Sequence, residues 1–219
     1  MPLFSFVKYR STPMKIGVLA SGAGTNLKAL IDHSTSAHGY EVAAVASDHP
    51  DAAAVSRARE ADIAVGLFPA SAFTGGRLER DRAMAAWLLD KQVDLVVLAG
   101  YMQLLSGGFL DAFPDRIINV HPSLLPAFPG LDAVGQALDD GVKVFGVTVH
   151  FVDSGVDSGR IILQQAVALP DARTRADVFA ALRPIEHTLL PEAVSLCAAG
   201  RVALDPSHPR RVVITASER

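Results

Sequence analysis

Residues 15–27, KIGVLASGAGTNL, join a short apolar run to a helical pattern through a glycine-rich turn. The run Lys15–Ala20 predicts a buried strand, and the residues from Asn26 onward predict a helix. Glycines let the backbone turn tightly between the two, and the free amide groups at the start of a helix favour an anion. The stretch therefore predicts the opening strand and helix of an α/β fold, with a phosphate bound in the turn.

The same alternation of apolar runs and helical patterns continues to residue 120. It predicts strands over 42–47, 63–68, 95–99 and 117–120, and helices over 26–32, 52–61 and 80–91. Short buried strands separated by amphipathic helices form a parallel sheet with helices on both faces. We therefore expect an α/β fold with a doubly wound, mostly parallel sheet.

The pattern changes beyond Gly130. Residues 144–152 and 160–169 are both strand-like and are separated by a short polar loop, so these strands must pair antiparallel or splay around the loop. A helix is predicted over 174–199, and Pro184 and Pro191 indicate that it is kinked or begins later. The tail over 211–215 has the pattern of an edge strand. We expect an antiparallel C-terminal extension.

Composition and charge narrow the class of protein. The 219 residues are 50% hydrophobic and 20% charged, which is enough for one domain over 15–219, preceded by a flexible N-terminal extension over 1–14. A formal net charge of −3 offers no basic surface for a nucleic-acid backbone. The single cysteine excludes an internal disulfide, and neither a bilayer-length apolar run nor a signal sequence is recognised. These features indicate a cytoplasmic protein without a membrane or nucleic-acid partner.

The segment 118–126, INVHPSLLP, carries the most specific chemistry. Asn119 and His121 are two residues apart at the end of an apolar run, so both side chains leave the same face of a strand. Asp157 follows in the polar loop 153–159. An amide donor for a developing oxyanion, an imidazole as acid or base, and a carboxylate to tune it are the groups that formyl transfer requires. Taken singly, Asn119 is as readily a turn residue and His121 a hydrogen-bonded histidine at a strand end.

Other interpretations of these motifs are weaker. A dinucleotide-binding turn would be supported by Asp48, but Leu27 stands where the third glycine is needed, and the turn lacks the Gly-Lys-Ser/Thr of a P-loop. A glycine turn that only caps the helix stays open. The loop from Asp153 lacks the glycine and glutamate of a calcium loop. His150, between two apolar residues, is expected to be a core histidine.

Five segments, in this order, resemble the phosphoribosylglycinamide formyltransferases, which are folate-dependent enzymes of purine biosynthesis: SGAGTNL, LAGYMQLLS, INVHPSLLPAFPGLDAV, GVTVHFVDSGVDSGRIILQQ and IEHTLLP. The resemblance runs from about Lys15 to Gly200. It implies a Rossmann-like formyltransferase fold and the transfer of a formyl group from 10-formyltetrahydrofolate, the co-substrate, to the amino group of glycinamide ribonucleotide. It implies no metal.

The resemblance also assigns residues to roles, motif by motif. The catalytic trio of the family is matched by Asn119, His121 and Asp157. The amides that bind the phosphate of the acceptor are matched by Gly24, Thr25 and Asn26. The group that holds its ribose is matched by Glu186.

The folate side is matched by a second set of residues: Arg77, Met102, Gln103, Leu104, Leu105, Val152 and Asp153. Met102, Leu104 and Leu105 resemble the backbone that grips the pterin, and the loop 152–157 resembles its other wall. Gln103 stands where many members have an arginine, so a direct charge contact with the folate is not expected there.

The trio identifies the chemistry better than the substrate. Methionyl-tRNA formyltransferase has a similar trio but is longer and needs a basic surface. Formyltetrahydrofolate deformylase is an alternative, although it normally carries an additional N-terminal domain and has histidine in place of Pro122. A non-catalytic nucleotide-binding module would keep the glycine loop without needing the trio. We expect direct transfer without a covalent enzyme intermediate, and a homodimer is left open.

Overall fold

The computed structural model describes residues 12–208 and 210–216. The main sheet has seven strands: β1 (Met14–Leu19), β2 (Tyr40–Ser47), β3 (Ala64–Leu67), β4 (Leu95–Leu98), β5 (Ile117–His121), β6 (Val144–Phe151) and β7 (Ile161–Ala168). Their order is β3-β2-β1-β4-β5-β6-β7. The pairs β1–β2, β1–β4 and β2–β3 are parallel, and β6–β7 is antiparallel. The predicted α/β fold, a doubly wound and mostly parallel sheet, is confirmed.

The described residues form six α-helices: α1 (Thr25–His33), α2 (Ala53–Glu60), α3 (Gly76–Asp90), α4 (Gly107–Ala112), α5 (Ala133–Asp139) and α6 (Arg175–Ala198). Short 3-10 turns occur at Ser36–His38 and Ala70–Ala72. The sequence analysis predicted α1, α2, α3 and α6 but missed α4 and α5. Both are shorter than two turns, and α4 begins with two glycines, which disfavour helix in isolation.

The chain divides into two compact units. Among the described residues, the N-terminal unit covers 12–118 and the C-terminal unit covers 119–216. The expected single domain over 15–219 stays a prediction. Most of the expected flexible extension over 1–14 lies outside the described residues, which begin at Thr12, and Met14 already belongs to β1.

The helix predicted over 174–199 is confirmed as α6, which is continuous from Arg175 to Ala198, so the alternative that it begins later is wrong, and the alternative of a kink stays a prediction. Thr174 and Asp177 form a capping box, which fixes the start of the helix at Arg175. Pro184 and Pro191 lie inside the helix and each removes a backbone hydrogen bond. Much of the helix is nevertheless buried. Helix α6 packs on β6, β7 and α5, and this burial outweighs the lost bonds.

The tail forms a strand with a different partner from the one expected. Residues Val212–Ile214 make β9, which pairs antiparallel with β8 (Val202–Leu204) in a separate two-stranded sheet, not with the edge of the main sheet. The antiparallel C-terminal extension is thus confirmed, with a corrected strand pairing. None of the helices within the described ranges is long and apolar enough to cross a bilayer.

One feature of α6 concerns reactivity. Its Cys197 has no exposed surface, and burial raises the pKa of the thiol to about 12. The thiolate is therefore disfavoured at neutral pH, and we expect this cysteine to be chemically inert in the folded protein.

Candidate active site

Strand β5 places Asn119 and His121 on the same side of the sheet, as the spacing of two residues predicts. His121 is buried and Asn119 is half-buried. The third residue, Asp157, lies in the loop between β6 and β7 and adopts a left-handed backbone conformation with φ of 48°. This conformation is uncommon for a residue with a side chain, and aspartate tolerates it better than most.

The structure brings these three side chains together. Asn119 Nδ2 lies 3.4 Å from Asp157 Oδ1, and His121 Nδ1 lies 3.4 Å from Asp157 Oδ2. The backbone N–H of Gly130 donates to Asp157 Oδ2 over 2.7 Å. The carboxylate is thus held by a short backbone bond, while its contacts with the two side chains are long enough for a substrate atom to replace them.

The ring of His121 has a defined orientation. Its Nε2 lies 2.8 Å from the carbonyl oxygen of Phe128, which can only accept, so Nε2 carries a hydrogen. The other nitrogen, Nδ1, faces the carboxylate of Asp157. When the ring is protonated, Nδ1–H is therefore a donor whose protein contact, with the carboxylate of Asp157, is long.

His150 is a fourth member of this group, which the sequence analysis assigned only to the core. It is buried as expected, but its Nε2 lies 3.2 Å from Asn119 Nδ2 and 3.6 Å from Asp157 Oδ1. Its Nδ1 lies 2.8 Å from the Phe151 carbonyl and so carries a hydrogen. In the neutral ring, Nε2 then accepts an N–H from Asn119 and fixes the orientation of that amide.

A signal for His150 was present in the sequence. Strand β6 reads VFGVTVHF, in which the only polar side chains, Thr148 and His150, are two residues apart and therefore share one face. A polar pair on one face of an otherwise apolar strand indicates a site or a hydrogen-bond network on that face. We refer to Asn119, His121, His150 and Asp157 as the β5 cluster.

Electrostatics in the β5 cluster favour an ionised Asp157. Burial alone would raise the pKa of the carboxyl group. The contact with the ring of His150, the hydrogen bond from the N–H of Gly130 and the positive charge that His121 and His150 can carry outweigh burial and lower the pKa below its ordinary value. The group is thus an anion throughout the neutral pH range.

Thr148 holds the loop that follows His121. Its buried hydroxyl donates to the carbonyl of Ser123 over 2.7 Å and accepts from the N–H of Leu125 over 3.1 Å. Gln164 on β7 donates to the same hydroxyl oxygen and to the Leu125 carbonyl. The loop carries Phe128, whose carbonyl orients the ring of His121, so this network supports the β5 cluster from outside.

In the N-terminal unit, the predicted phosphate-binding turn is shaped by its backbone. Gly24 is the N-cap of α1 with φ of 66°, and no side chain caps the first turn. A Cβ atom built on Gly24 would lie 2.7 Å from Cα of Ala54, closer than real contacts allow. The backbone therefore adopts here a conformation that only glycine accommodates, at the start of a helix whose first amide groups have no side-chain cap. We call Gly24, Thr25 and Asn26 the anion loop.

Asp48 does not support the dinucleotide alternative. Its side chain is only 3% exposed and lies 3.0 Å from Nδ1 of His49. A ribose-binding acid would have to present its oxygens to a ligand, and both oxygens of this carboxylate are buried.

The predicted folate residues of the N-terminal unit lie on its surface. Met102, Gln103 and Leu104 are exposed, Leu105 is half-buried, and Arg77 is exposed in the first turn of α3. The N–H of Met102 donates to Ser21 Oγ over 3.0 Å. The segment 102–105 has no regular secondary structure, so its backbone groups are not consumed by a helix or sheet.

The remaining predicted residues belong to the C-terminal unit. Glu186 is buried in α6, Val152 is half-buried, and Asp153 is exposed. The Asp153 carboxylate accepts from the N–H of Gly155 and the hydroxyl of Ser158, so it shapes its own turn. Within residues 12–208 and 210–216, no group of three or more His, Cys, Asp or Glu side chains is placed to hold a metal ion.

Comparisons with known proteins identify similar chains. The sequence pattern of the formyl transferase family matches residues 14–194. A phosphoribosylglycinamide formyltransferase of Bacillus subtilis is 38% identical over 185 residues, which are 82% of this chain and 92% of the relative. The human trifunctional purine biosynthetic protein adenosine-3 is 39% identical over 202 residues, which are 92% of this chain but 20% of that protein. The chain thus spans about a fifth of the human relative and most of the bacterial one.

Solved structures agree with the sequence relatives. Glycinamide ribonucleotide transformylase 1 from Symbiobacterium toebii matches with a TM-score of 0.90 and 46% identity, covering 97% of this chain and 99% of that one. A formyltetrahydrofolate deformylase from Pseudomonas syringae matches with a TM-score of 0.84 but only 26% identity, covering 94% of this chain and 67% of that one. The deformylase is therefore the more distant of these two neighbours.

Proposed function

The chain belongs to the formyl transferase family, and from this membership we propose that it transfers a formyl group from 10-formyltetrahydrofolate to the amino group of glycinamide ribonucleotide. This is an enzymatic one-carbon transfer in purine biosynthesis, the activity that the names of its bacterial relatives state. The observation that carries the proposal at the level of residues is the convergence of Asn119, His121 and Asp157 in one cluster.

The proposed chemistry is direct transfer. The neutral amine of the ribonucleotide attacks the formyl carbon, and the electron pair of the carbonyl moves onto its oxygen to give a tetrahedral oxyanion. Collapse of this intermediate breaks the bond to N10 of the folate, and a proton passes from the attacking nitrogen to the leaving one. No bond between the formyl group and the enzyme is formed.

Asn119 and His121 are proposed to stabilise the oxyanion. The two proposed donors are the Asn119 N–H that contacts Asp157 Oδ1 over 3.4 Å and the Nδ1–H of a protonated His121, which contacts Asp157 Oδ2 over 3.4 Å. The negative oxygen replaces those long contacts with short, charge-assisted hydrogen bonds. Because this charge exists only during the reaction, the donors stabilise the transition state more than the bound substrates.

Asp157 and His150 are proposed to tune these donors. The ionised carboxylate of Asp157 faces Nδ1 of His121 and, through a water molecule, can relay the proton between the two nitrogens. The neutral ring of His150 accepts one N–H of Asn119 and so leaves the other directed at the reacting oxygen. His150 acts through Asn119 and is a positioning residue.

Binding of the two substrates is proposed for residues outside the trio. The anion loop receives the phosphate of glycinamide ribonucleotide, and Glu186 holds its ribose. Backbone groups of the segment 102–105 bind the pterin of the folate, Arg77 and Gln103 face the rest of that molecule, and Val152 and Asp153 contribute the second wall. The exposure of Met102, Gln103 and Leu104 supports this assignment, because their backbone is accessible to a ligand.

A single assay tests the proposal against its alternatives. The protein is mixed with 10-formyltetrahydrofolate in the presence and in the absence of glycinamide ribonucleotide, and release of tetrahydrofolate is followed. We expect release that depends on the ribonucleotide. Equal release with water as the only acceptor would establish a deformylase, and ribonucleotide binding without any release would establish a nucleotide-binding module.

The proposal extends to the domain organisation of the chain and to its location in the cell. We propose that residues 15–219 act as a single formyltransferase domain in the cytoplasm. The homodimer left open by the sequence stays a prediction, which the sedimentation coefficient of the purified protein would decide.

A further inference from the structure

Helix α3 of the N-terminal unit contains two adjacent charged residues that are buried together. The side chains of Arg80 and Asp81 are 3% and 0% exposed. Arg80 donates to Asp81 Oδ1 twice, through Nε over 3.0 Å and Nη2 over 2.8 Å. Burying a charge is costly unless it is paired and hydrogen-bonded, so a pair in this position requires a structural or functional reason.

The second oxygen of Asp81 leads to the proposed folate-binding segment. Asp81 Oδ2 accepts the backbone N–H of Ser106 over 2.6 Å. Ser106 is itself buried and follows directly after the segment 102–105. The guanidinium of Arg80 occupies Oδ1 and thereby leaves Oδ2 directed at Ser106.

The opposite end of the segment has a fixed contact of the same kind. The N–H of Met102 donates to the hydroxyl oxygen of Ser21 over 3.0 Å. Between these two ends, Met102, Gln103 and Leu104 are exposed and form no regular secondary structure. The backbone conformation of the segment therefore depends on its two end contacts.

We propose that Asp81, held by Arg80, is a positioning residue for folate binding, because it fixes the backbone of residues 102–105 at Ser106 while Ser21 fixes it at Met102. The inference rests on the proposed function, in which this backbone binds the pterin. A ligand recognised by backbone N–H and C=O groups requires them in one arrangement, and fixing them in advance lowers the entropy lost on binding.

The inference predicts a graded effect on the binding of one substrate. Asp81→Ala removes both contacts and should raise the dissociation constant for 10-formyltetrahydrofolate about tenfold, which corresponds to about 1.4 kcal/mol. Asp81→Asn keeps an oxygen that can accept from Ser106 and should weaken folate binding less. The affinity for glycinamide ribonucleotide should stay within about twofold of the parent in both variants, since the hydrogen bonds of Asp81 go to Arg80 and Ser106.

The measurement is equilibrium binding of each substrate separately to the folded variants, with thermal unfolding recorded in parallel. Asp90→Asn is the matched control, because Asp90 lies on the same helix but is exposed in its pair with Lys91. If Asp81→Ala and Asp81→Asn lower the unfolding temperature but leave the ratio of the two affinities at the parent value, the pair is only structural and the inference is wrong.

Ser21→Ala provides an independent test in case the Asp81 variants do not fold. It removes the contact at the other end of the segment and should also weaken folate binding. Unchanged folate binding in a folded Ser21→Ala protein would overturn the inference. Failure of the parent protein to bind 10-formyltetrahydrofolate would instead overturn the proposed function, so the two failures are distinguishable.

Discussion

The anion loop and the β5 cluster present different kinds of atoms. In the anion loop the backbone is the proposed binding element, since Gly24 has a conformation with φ of 66° and no side chain caps the helix that follows. In the β5 cluster four side chains meet, and their functional atoms are within 3.6 Å of one another or of a backbone carbonyl. The loop therefore depends on a shape that few residues can adopt, while the cluster depends on particular atoms.

The largest expected effect comes from removing an atom of the cluster. Asn119→Ala deletes a proposed oxyanion donor and should lower turnover roughly a hundredfold or more, with little change in the affinity for glycinamide ribonucleotide. Steady-state kinetics and direct binding of the ribonucleotide measure the two quantities. Gln165→Ala, which removes an exposed amide on β7, is the control. Normal turnover, or a defect confined to binding, would make the oxyanion assignment wrong.

A change in the backbone shape of the anion loop should affect ribonucleotide binding and not turnover. Gly24→Ala places a Cβ against Ala54 at a positive φ and should weaken ribonucleotide binding about tenfold while turnover at saturation changes little. Gly22→Ala is the comparison, since a Cβ there meets no atom within 4 Å, and its effect should be much smaller. Inorganic phosphate should compete with the ribonucleotide in the parent. Equal behaviour of the two alanine variants would contradict a binding role for the backbone at Gly24.

A smaller effect is expected at His150, which acts through Asn119. His150→Leu removes the acceptor that orients the amide and should lower turnover about fivefold to tenfold, the cost of one hydrogen bond. His150→Gln retains an acceptor oxygen and should recover part of that loss. A double variant with Asn119→Ala should lose no more than Asn119→Ala alone, because the two residues act on one step. If the losses of turnover in the two single variants instead add in the double variant, His150 does not act through Asn119.

The smallest effect concerns stability and pH. Because the pKa of Asp157 is lower in the folded protein than its ordinary value, ionisation of this carboxyl group stabilises the fold above the ordinary pKa. That contribution disappears as the pH falls through the folded pKa. Urea unfolding of the parent and of Asp157→Asn should therefore differ most at neutral pH and converge in acid. A difference independent of pH would show that Asp157 contributes through packing alone.

The fold was predictable because its signal is repeated along the chain. Each buried strand is a short apolar run, and α1, α2 and α3 follow strands at regular intervals, so errors in single boundaries do not change the architecture. Helix α4 was missed because its glycines give no helical period, and tertiary packing decides its conformation. Whether Pro184 would delay the start of α6 was left open because local sequence does not report how firmly a helix is capped and buried.

The candidate site was predictable where the chemistry lies in adjacent residues. Asn119 and His121 share a strand face by spacing alone, but the contact of either with Asp157 depends on how a loop 36 or more residues later folds back, and a resemblance was needed to connect them. His150 was missed because an isolated histidine between apolar residues is usually part of the core. Only the contact with Asn119 distinguishes a histidine that positions a site residue from one that is merely part of the core.

The burial of Cys197 has a practical consequence for spectroscopy. The only native thiol, on α6, is buried. A thiol-reactive label can therefore be attached to one introduced cysteine of the folded chain without first replacing Cys197. Val156 is 53% exposed and immediately precedes Asp157, so a maleimide fluorophore attached at that position would report on the loop during substrate addition. A signal obtained this way needs no correction for a second label.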